Sequence, residues 1–126
     1  MSNYQINKLT PNIGAEIIGK GIFDNLTKTF CDKIYETLIE HKVIFFCNQE
    51  ITNEQHIKFA KSFGEIEPPH PVYPHVDHFP EIVLLENDEN RPPDTDVWHT
   101  DVTFRPNPPF ASILYSKIIP SSGGDT

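Results

Sequence analysis

Arginine is scarce in this chain. Only Arg91 and Arg105 stand among 126 residues. A planar guanidinium fork is the usual holder of carboxylate, phosphate and sulfate groups, so a complete anion site is not expected from these residues alone. Basic residues are few altogether: ten Lys and Arg against eighteen Asp and Glu leave a net charge of −8. Nucleic acid and anionic membrane surfaces need a basic face, so neither is expected as a partner. Cysteine is limited to Cys31 and Cys47, sixteen residues apart and without neighbours at zinc spacing. That argues against a disulfide framework and a thiolate metal centre, and leaves two buried or half-buried thiols. No apolar run approaches the roughly 18 residues of a membrane span. Met1-Ser2-Asn3-Tyr4 opens no signal peptide, and the expected location is the cytoplasm. Internal repeats and low-complexity tracts are missing as well.

What is present is enough to build a core. The hydrophobic share is 37%, with nine Phe, too much buriable mass for a disordered chain. The length allows one domain of modest size at most. The first half reads as α/β material. Tyr4 to Leu9 and Ala15 to Ile18 are short strands around the turn Pro11-Asn12-Ile13-Gly14. A helix is expected from Asn25 to about His41, with Leu26, Phe30, Ile34, Leu38 and Ile39 on its apolar face. Val43-Ile44-Phe45-Phe46 reads as a strand buried on both faces. Thr52 and Gln55 form a capping box for a second helix that turns Ile57, Ala60 and Phe63 inward and stops at Gly64.

Ten of the twelve prolines fall between Pro68 and Pro109, which keeps that stretch from being mostly helix or central strand. Ile82 to Leu85 and Phe110 to Tyr115 are the strands expected there. Long Pro-rich loops in a compact domain are usually functional or disordered, and these hold most of the histidines. Two His-x-Asp pairs lie among them, His75-Val76-Asp77 and His99-Thr100-Asp101. On an extended segment both side chains of such a pair share one face. Imidazole plus carboxylate is the beginning of the facial triad that holds non-haem iron(II). The bare pair is weak evidence, and spacing does not choose between the two. Surroundings favour His99 and Asp101, because Trp98 and Val102-Thr103-Phe104 would shield and stiffen a ligand pair.

Trp98-His99-Thr100-Asp101-Val102-Thr103-Phe104, then Pro108-Pro109, then Ser121-Ser122-Gly123-Gly124-Asp125-Thr126 resembles the iron(II)/2-oxoglutarate dioxygenases of the taurine dioxygenase family. His70-Pro71-Val72-Tyr73-Pro74-His75 and the stretch from Pro11 to Gly19 extend the resemblance along the whole chain. It implies that His99 and Asp101 are the first two iron ligands and that Thr126 helps to hold the 2-oxoglutarate carboxylate. It places His70 and Tyr73 against a sulfonate substrate. Thr95 stands where the sulfonate-using members carry an asparagine, which puts taurine specifically in question. The implied fold is mixed α/β: a double-stranded β-helix (jelly-roll, cupin-like) core with flanking N-terminal helices, incomplete in this chain. Residues 1–126 would be the N-terminal portion of a single such domain. The second His ligand and the Arg for 2-oxoglutarate would lie further along.

The implied reaction consumes O2, turns 2-oxoglutarate into succinate and CO2, and hydroxylates a small sulfonate such as taurine, which then falls apart to an aldehyde and sulfite. The cofactor is Fe(II), the partner a small anionic molecule, and the assembly a homodimer or tetramer. Against these stand plainer readings. His99 and Asp101 could share only a structural hydrogen bond, His70 and Tyr73 could pack a loop, Thr126 could be a turn residue, and Trp98 could be a packing wall. His75 and His78 read as solvated loop residues, His41 and His56 as helix-surface ones. As a whole, the chain could also be a catalytically incompetent truncated domain that binds or oligomerises, a family member for another small anion, or a hydrolase with a His/Asp-bound metal, though no nucleophile motif supports the last.

Overall fold

The structure, a computed structural model, describes residues 4–93 and 97–123. It divides into two compact units, one running to Leu85 and the other beginning at Glu86.

The first unit starts with β1 (Tyr4–Lys8) and β2 (Ala15–Gly19), paired antiparallel with Tyr4 opposite Gly19. The turn between them closes through Leu9 N–H donating to the Gly14 carbonyl at 3.0 Å, with Gly14 at φ 90°. A side chain there would be strained, which is why glycine ends this turn. Helix α1 (Lys28–His41) crosses over, and β3 (Ile44–Phe46) then lies parallel to β2, Ala15 facing Ile44. The sheet order is β1-β2-β3.

Helix α1 begins at Lys28 rather than Asn25 because Thr27 caps it, accepting from Phe30 N–H at 3.2 Å. Its buried face is Phe30, Cys31, Ile34, Thr37 and His41. That face is turned by about one residue from the expected one. Leu38 is only half-buried and Ile39 is exposed, while His41, expected on the surface, is buried. The C-terminal reversal explains this: Lys42 adopts φ 68° and donates to the Leu38 carbonyl. The His41 carbonyl accepts from both Gly14 and Val43, which draws His41 against the sheet. Strand β3 also departs from expectation, since Phe45 is half exposed and only Ile44 and Phe46 turn inward.

Helix α2 (Asn53–Lys61) has the expected capping box: Thr52 Oγ1 accepts from Gln55 N–H at 3.2 Å and Gln55 Oε1 from Thr52 N–H at 2.9 Å. The helix stops at Ser62, two residues before Gly64, whose φ of 152° suits glycine. Its deepest residue is Phe59, with Ile57, Ala60 and Phe63 only half-buried. The reason is an aromatic cluster. Phe59 meets Phe23, Phe46 and Phe63 at centroid distances of 5.0, 5.4 and 4.9 Å, each nearly edge-on, the arrangement that ring quadrupoles favour.

A hairpin follows, β4 (His75–Val76) against β5 (Phe79–Val83), with His75 opposite Val83 and a left-handed His78 at φ 65° in the turn. The expected strand Ile82 to Leu85 therefore starts earlier and ends at Val83, and His75, expected in an irregular loop, is in a ladder. Pro80 is tolerated because a two-stranded ribbon leaves each strand an open edge. In the second unit no described residue is in a helix or strand. Phe110 to Tyr115 runs without a ladder, contrary to expectation, since a strand exists only beside a hydrogen-bonded neighbour. The architecture is mixed α/β with small sheets; the described residues do not themselves form the two facing sheets of a β-helix.

Candidate functional site

The pair His99 and Asp101 comes together where an irregular stretch enters a turn at Asp101, not in a strand. Here His99 Nε2 lies 3.3 Å from Asp101 Oδ1. The chain folds back after Asp101: Val102 takes φ 53° and its carbonyl accepts from Arg105 N–H at 3.1 Å. A β-branched residue in the left-handed region costs about 1 to 2 kcal/mol, and strain of this kind gathers at functional positions. The shielding expected of Trp98 and Phe104 is not seen, both being largely exposed. With no sheet around them, these rings have nothing to pack on.

His99 has a defined tautomer. Its Nδ1 lies 3.0 Å from the Val97 carbonyl. A carbonyl only accepts, so in the neutral ring Nδ1 carries the hydrogen and Nε2 holds the lone pair. That lone pair faces an anionic oxygen. Two electron-rich atoms at this distance repel unless a positive charge sits with them, either a proton or a metal ion. An imidazole fixed through Nδ1 to a backbone carbonyl, with Nε2 beside a carboxylate, is the donor set that borderline divalent metals take. The other carboxylate oxygen, Oδ2, lies 3.5 Å from Ser112 Oγ. Sequence reading missed Ser112; the available signal was one hydroxyl within the apolar run Phe110 to Tyr115. Among the described residues, no group of three His, Cys, Asp or Glu side chains gathers to complete a metal site.

In the first unit, His70 and Tyr73 do come together, ring centroids 4.6 Å apart. His70 Nδ1 accepts from the backbone N–H groups of Val72 at 3.2 Å and Tyr73 at 3.1 Å. The hydrogen therefore sits on Nε2, and the imidazole offers an N–H outward. Both residues are exposed on their loop. The competing pair His75 and Asp77 does not converge: no hydrogen bond or ion pair joins them among the described residues. Thr95 and Thr126 lie outside the described residues.

The remaining titratable groups have structural roles. Arg91 pairs with Glu86 at 3.3 Å and Asp88 at 3.8 Å, as a surface loop residue would. The backbone N–H groups of Asn90 and Arg91 hold the Asp88 carboxyl below its usual range. Cys47 Sγ donates to Glu16 Oε1 at 2.9 Å; that bond first, then burial, pushes the thiol above its usual range. A thiol held protonated is a poor nucleophile, so Cys47 is not a candidate for the chemistry.

The sequence profile of the family described as "Taurine catabolism dioxygenase TauD, TfdA family" matches residues 5–126. The chain belongs to this family. Its members are iron(II)/2-oxoglutarate-dependent dioxygenases, so the His99–Asp101 pair is found in a family whose chemistry needs such ligands. Among similar proteins, an alkylsulfatase of Acinetobacter baylyi is 41% identical over 123 residues, which cover 97% of this chain and 38% of that protein. An alpha-ketoglutarate-dependent sulfate ester dioxygenase of Pseudomonas putida is 38% identical over 122 residues, covering 96% of this chain and 40% of the relative. Of solved structures, a taurine dioxygenase from Burkholderia xenovorans matches 63% of this chain and 28% of its own, with 37% identity and a TM-score of 0.56. The chain thus spans well under half the length of these TauD/TfdA relatives.

Proposed function

We propose that this TauD/TfdA chain supplies two iron(II) ligands and an anion-facing loop to a 2-oxoglutarate-dependent dioxygenase acting on a small sulfur oxyanion, with an alkyl sulfate ester as the first reading. The observation that carries it is the His99–Asp101 pair, a lone pair and a carboxylate oxygen 3.3 Å apart with the imidazole tautomer already set for ligation. The residues fit the metal: one neutral imidazole and one carboxylate are two of the three ligands of the facial triad. The third ligand and the guanidinium for 2-oxoglutarate must come from beyond the described residues. A jelly-roll core and a single domain belong to the same reading, as do a homo-oligomeric assembly and a cytoplasmic location.

Bound there, iron(II) would supply the oxygen chemistry. The chain's own residues do simpler work. The Val97 carbonyl holds the His99 ring through Nδ1 and leaves Nε2 free to ligate, and Asp101 contributes charge. His70 Nε2–H and the Tyr73 hydroxyl are neutral donors suited to sulfuryl oxygens. Thr95 and Thr126 keep the roles proposed for them, one near the substrate and one at the 2-oxoglutarate carboxylate. The sulfate ester reading is supported by the names of the two curated relatives. A sulfonate such as taurine is the second reading, supported by the solved taurine dioxygenase.

The two readings differ in product. Hydroxylation of the carbon next to an ester oxygen gives a hemiacetal sulfate, which collapses to an aldehyde and sulfate. Hydroxylation next to sulfur gives an aldehyde and sulfite. In the full gene product with iron(II), 2-oxoglutarate and O2, we expect succinate to form in step with sulfate from a medium-chain alkyl sulfate. Sulfite from taurine would select the second reading. Succinate formation that neither substrate stimulates would overturn both.

A further inference from the structure

The second oxygen of Asp101 has a neighbour that the dioxygenase reading does not use. We propose that Ser112 is a positioning residue: its hydroxyl donates to Asp101 Oδ2 and so reserves Oδ1 as a one-oxygen ligand for the divalent cation. This rests on the metal reading of the His99–Asp101 pair. Three observations carry it. Oδ1 is the oxygen that faces His99 Nε2, at 3.3 Å, while Oδ2 lies 3.5 Å from Ser112 Oγ. Ser112 is eleven residues further along the chain, so the contact is not a by-product of the local turn. Val102 holds a left-handed backbone directly after Asp101, in the turn that Asp101 begins.

The chemistry follows from how carboxylates bind metals. An unrestrained carboxylate can ligate through one oxygen or through both, and two-oxygen binding takes up a second coordination position. A site that must also admit a bidentate 2-oxo acid and O2 cannot spare it. A hydroxyl donating to Oδ2 removes one lone pair and much of the charge from that oxygen, which favours one-oxygen ligation. The 3.5 Å separation is long for an O–H···O bond. Such contacts tighten when the ligand arrives, and rotation of the exposed Ser112 side chain is enough to close it. A solvent-exposed hydroxyl adds little to stability, so its effect is expected in the metal geometry rather than in folding.

The test is cobalt(II) titration of the metal-free full gene product, followed by the visible absorption of the bound ion, which reports coordination number. We expect Ser112→Ala to weaken cobalt binding about tenfold, the scale for partners that orient a ligand. Its absorption band should weaken and shift as Asp101 binds through both oxygens. Ser112→Thr, which keeps the hydroxyl, should restore affinity and spectrum, and the metal-free variants should melt with the parent. If Ser112→Ala matches the parent in affinity and spectrum, or if the threonine variant behaves like the alanine one, the positioning role is overturned while the metal reading stands. If Asp101→Asn binds cobalt as tightly as the parent, the metal reading is wrong and this proposal falls with it.

Discussion

Each histidine in a candidate role has its tautomer set by the backbone, and in opposite senses. At His99 a carbonyl takes the Nδ1 hydrogen and leaves a lone pair on Nε2; at His70 two amides fill the Nδ1 lone pair and leave a hydrogen on Nε2. The two rings thereby present different Nε2 atoms, although the residue type is the same. Cys47 is fixed in a comparable way. Because its hydrogen bond to Glu16, followed by burial, raises the thiol, its thiolate fraction at neutral pH is below that of a free cysteine. Alkylation of Cys47, mapped by peptide mass, should be slow at pH 8 and rise with pH through that raised value. Glu16→Gln removes the charge and should move the pH–rate curve to lower pH. For the same reason the pair's contribution to stability is present at neutral pH and is lost as pH rises through the raised thiol value. Much at this scale was legible in the sequence. His99 and Asp101 stand out by their surroundings, and His70 and Tyr73 by the family resemblance, not by spacing. The Val97 carbonyl and the left-handed Val102 do not, because they matter through backbone geometry that no residue identity announces, and Ser112 does not because its contact joins residues eleven apart.

Among the elements, those governed by local chemistry were readable and those that need a distant partner were not. Thr52 and Gln55 fix the start of α2 through bonds spanning three residues, and Gly14 fixes the β1–β2 turn. The face of α1 was harder, because the register that buries His41 in place of Ile39 is chosen by contacts with Gly14 and Val43. The strand expected at Phe110 to Tyr115 fails for the same reason: its residues suit a strand, but the segment joins neither sheet of the described residues. Helix α2 offers a graded check. Thr52→Ala removes one cap and should cost about 1 kcal/mol. Phe59→Ala, which empties the centre of the ring cluster, should cost about 3 to 5 kcal/mol. Urea unfolding should rank them in that order; equal losses would mean that the cluster contributes no more than a surface cap.

Among the described residues, regular structure and the buried core belong to the unit that ends at Leu85, while the proposed ligand pair His99 and Asp101 lies in the one that begins at Glu86. The division was half visible in the sequence, as the change from amphipathic periodicity to dense proline. That His99 and Asp101 would lie at the entry to a turn was not visible, since a His-x-Asp spacing suits strand and turn alike. The parallel pairing of β2 with β3 has a consequence in time. Ala15 and Ile44 are neighbours in the sheet but far apart in the chain, and closing a flexible loop of that length costs about 3 kcal/mol of entropy. Helix α1, a rod of ~21 Å, removes much of that freedom once it has formed. The β1–β2 hairpin and α1 should therefore form early and β3 dock last. In stopped-flow experiments, Ile34→Val within α1 should chiefly slow refolding, whereas Phe46→Leu in β3 should chiefly speed unfolding. The reverse pattern would mean that the sheet closes before the helix. The order of assembly then has a direction: β3 is the last strand to join the sheet and the first to leave it.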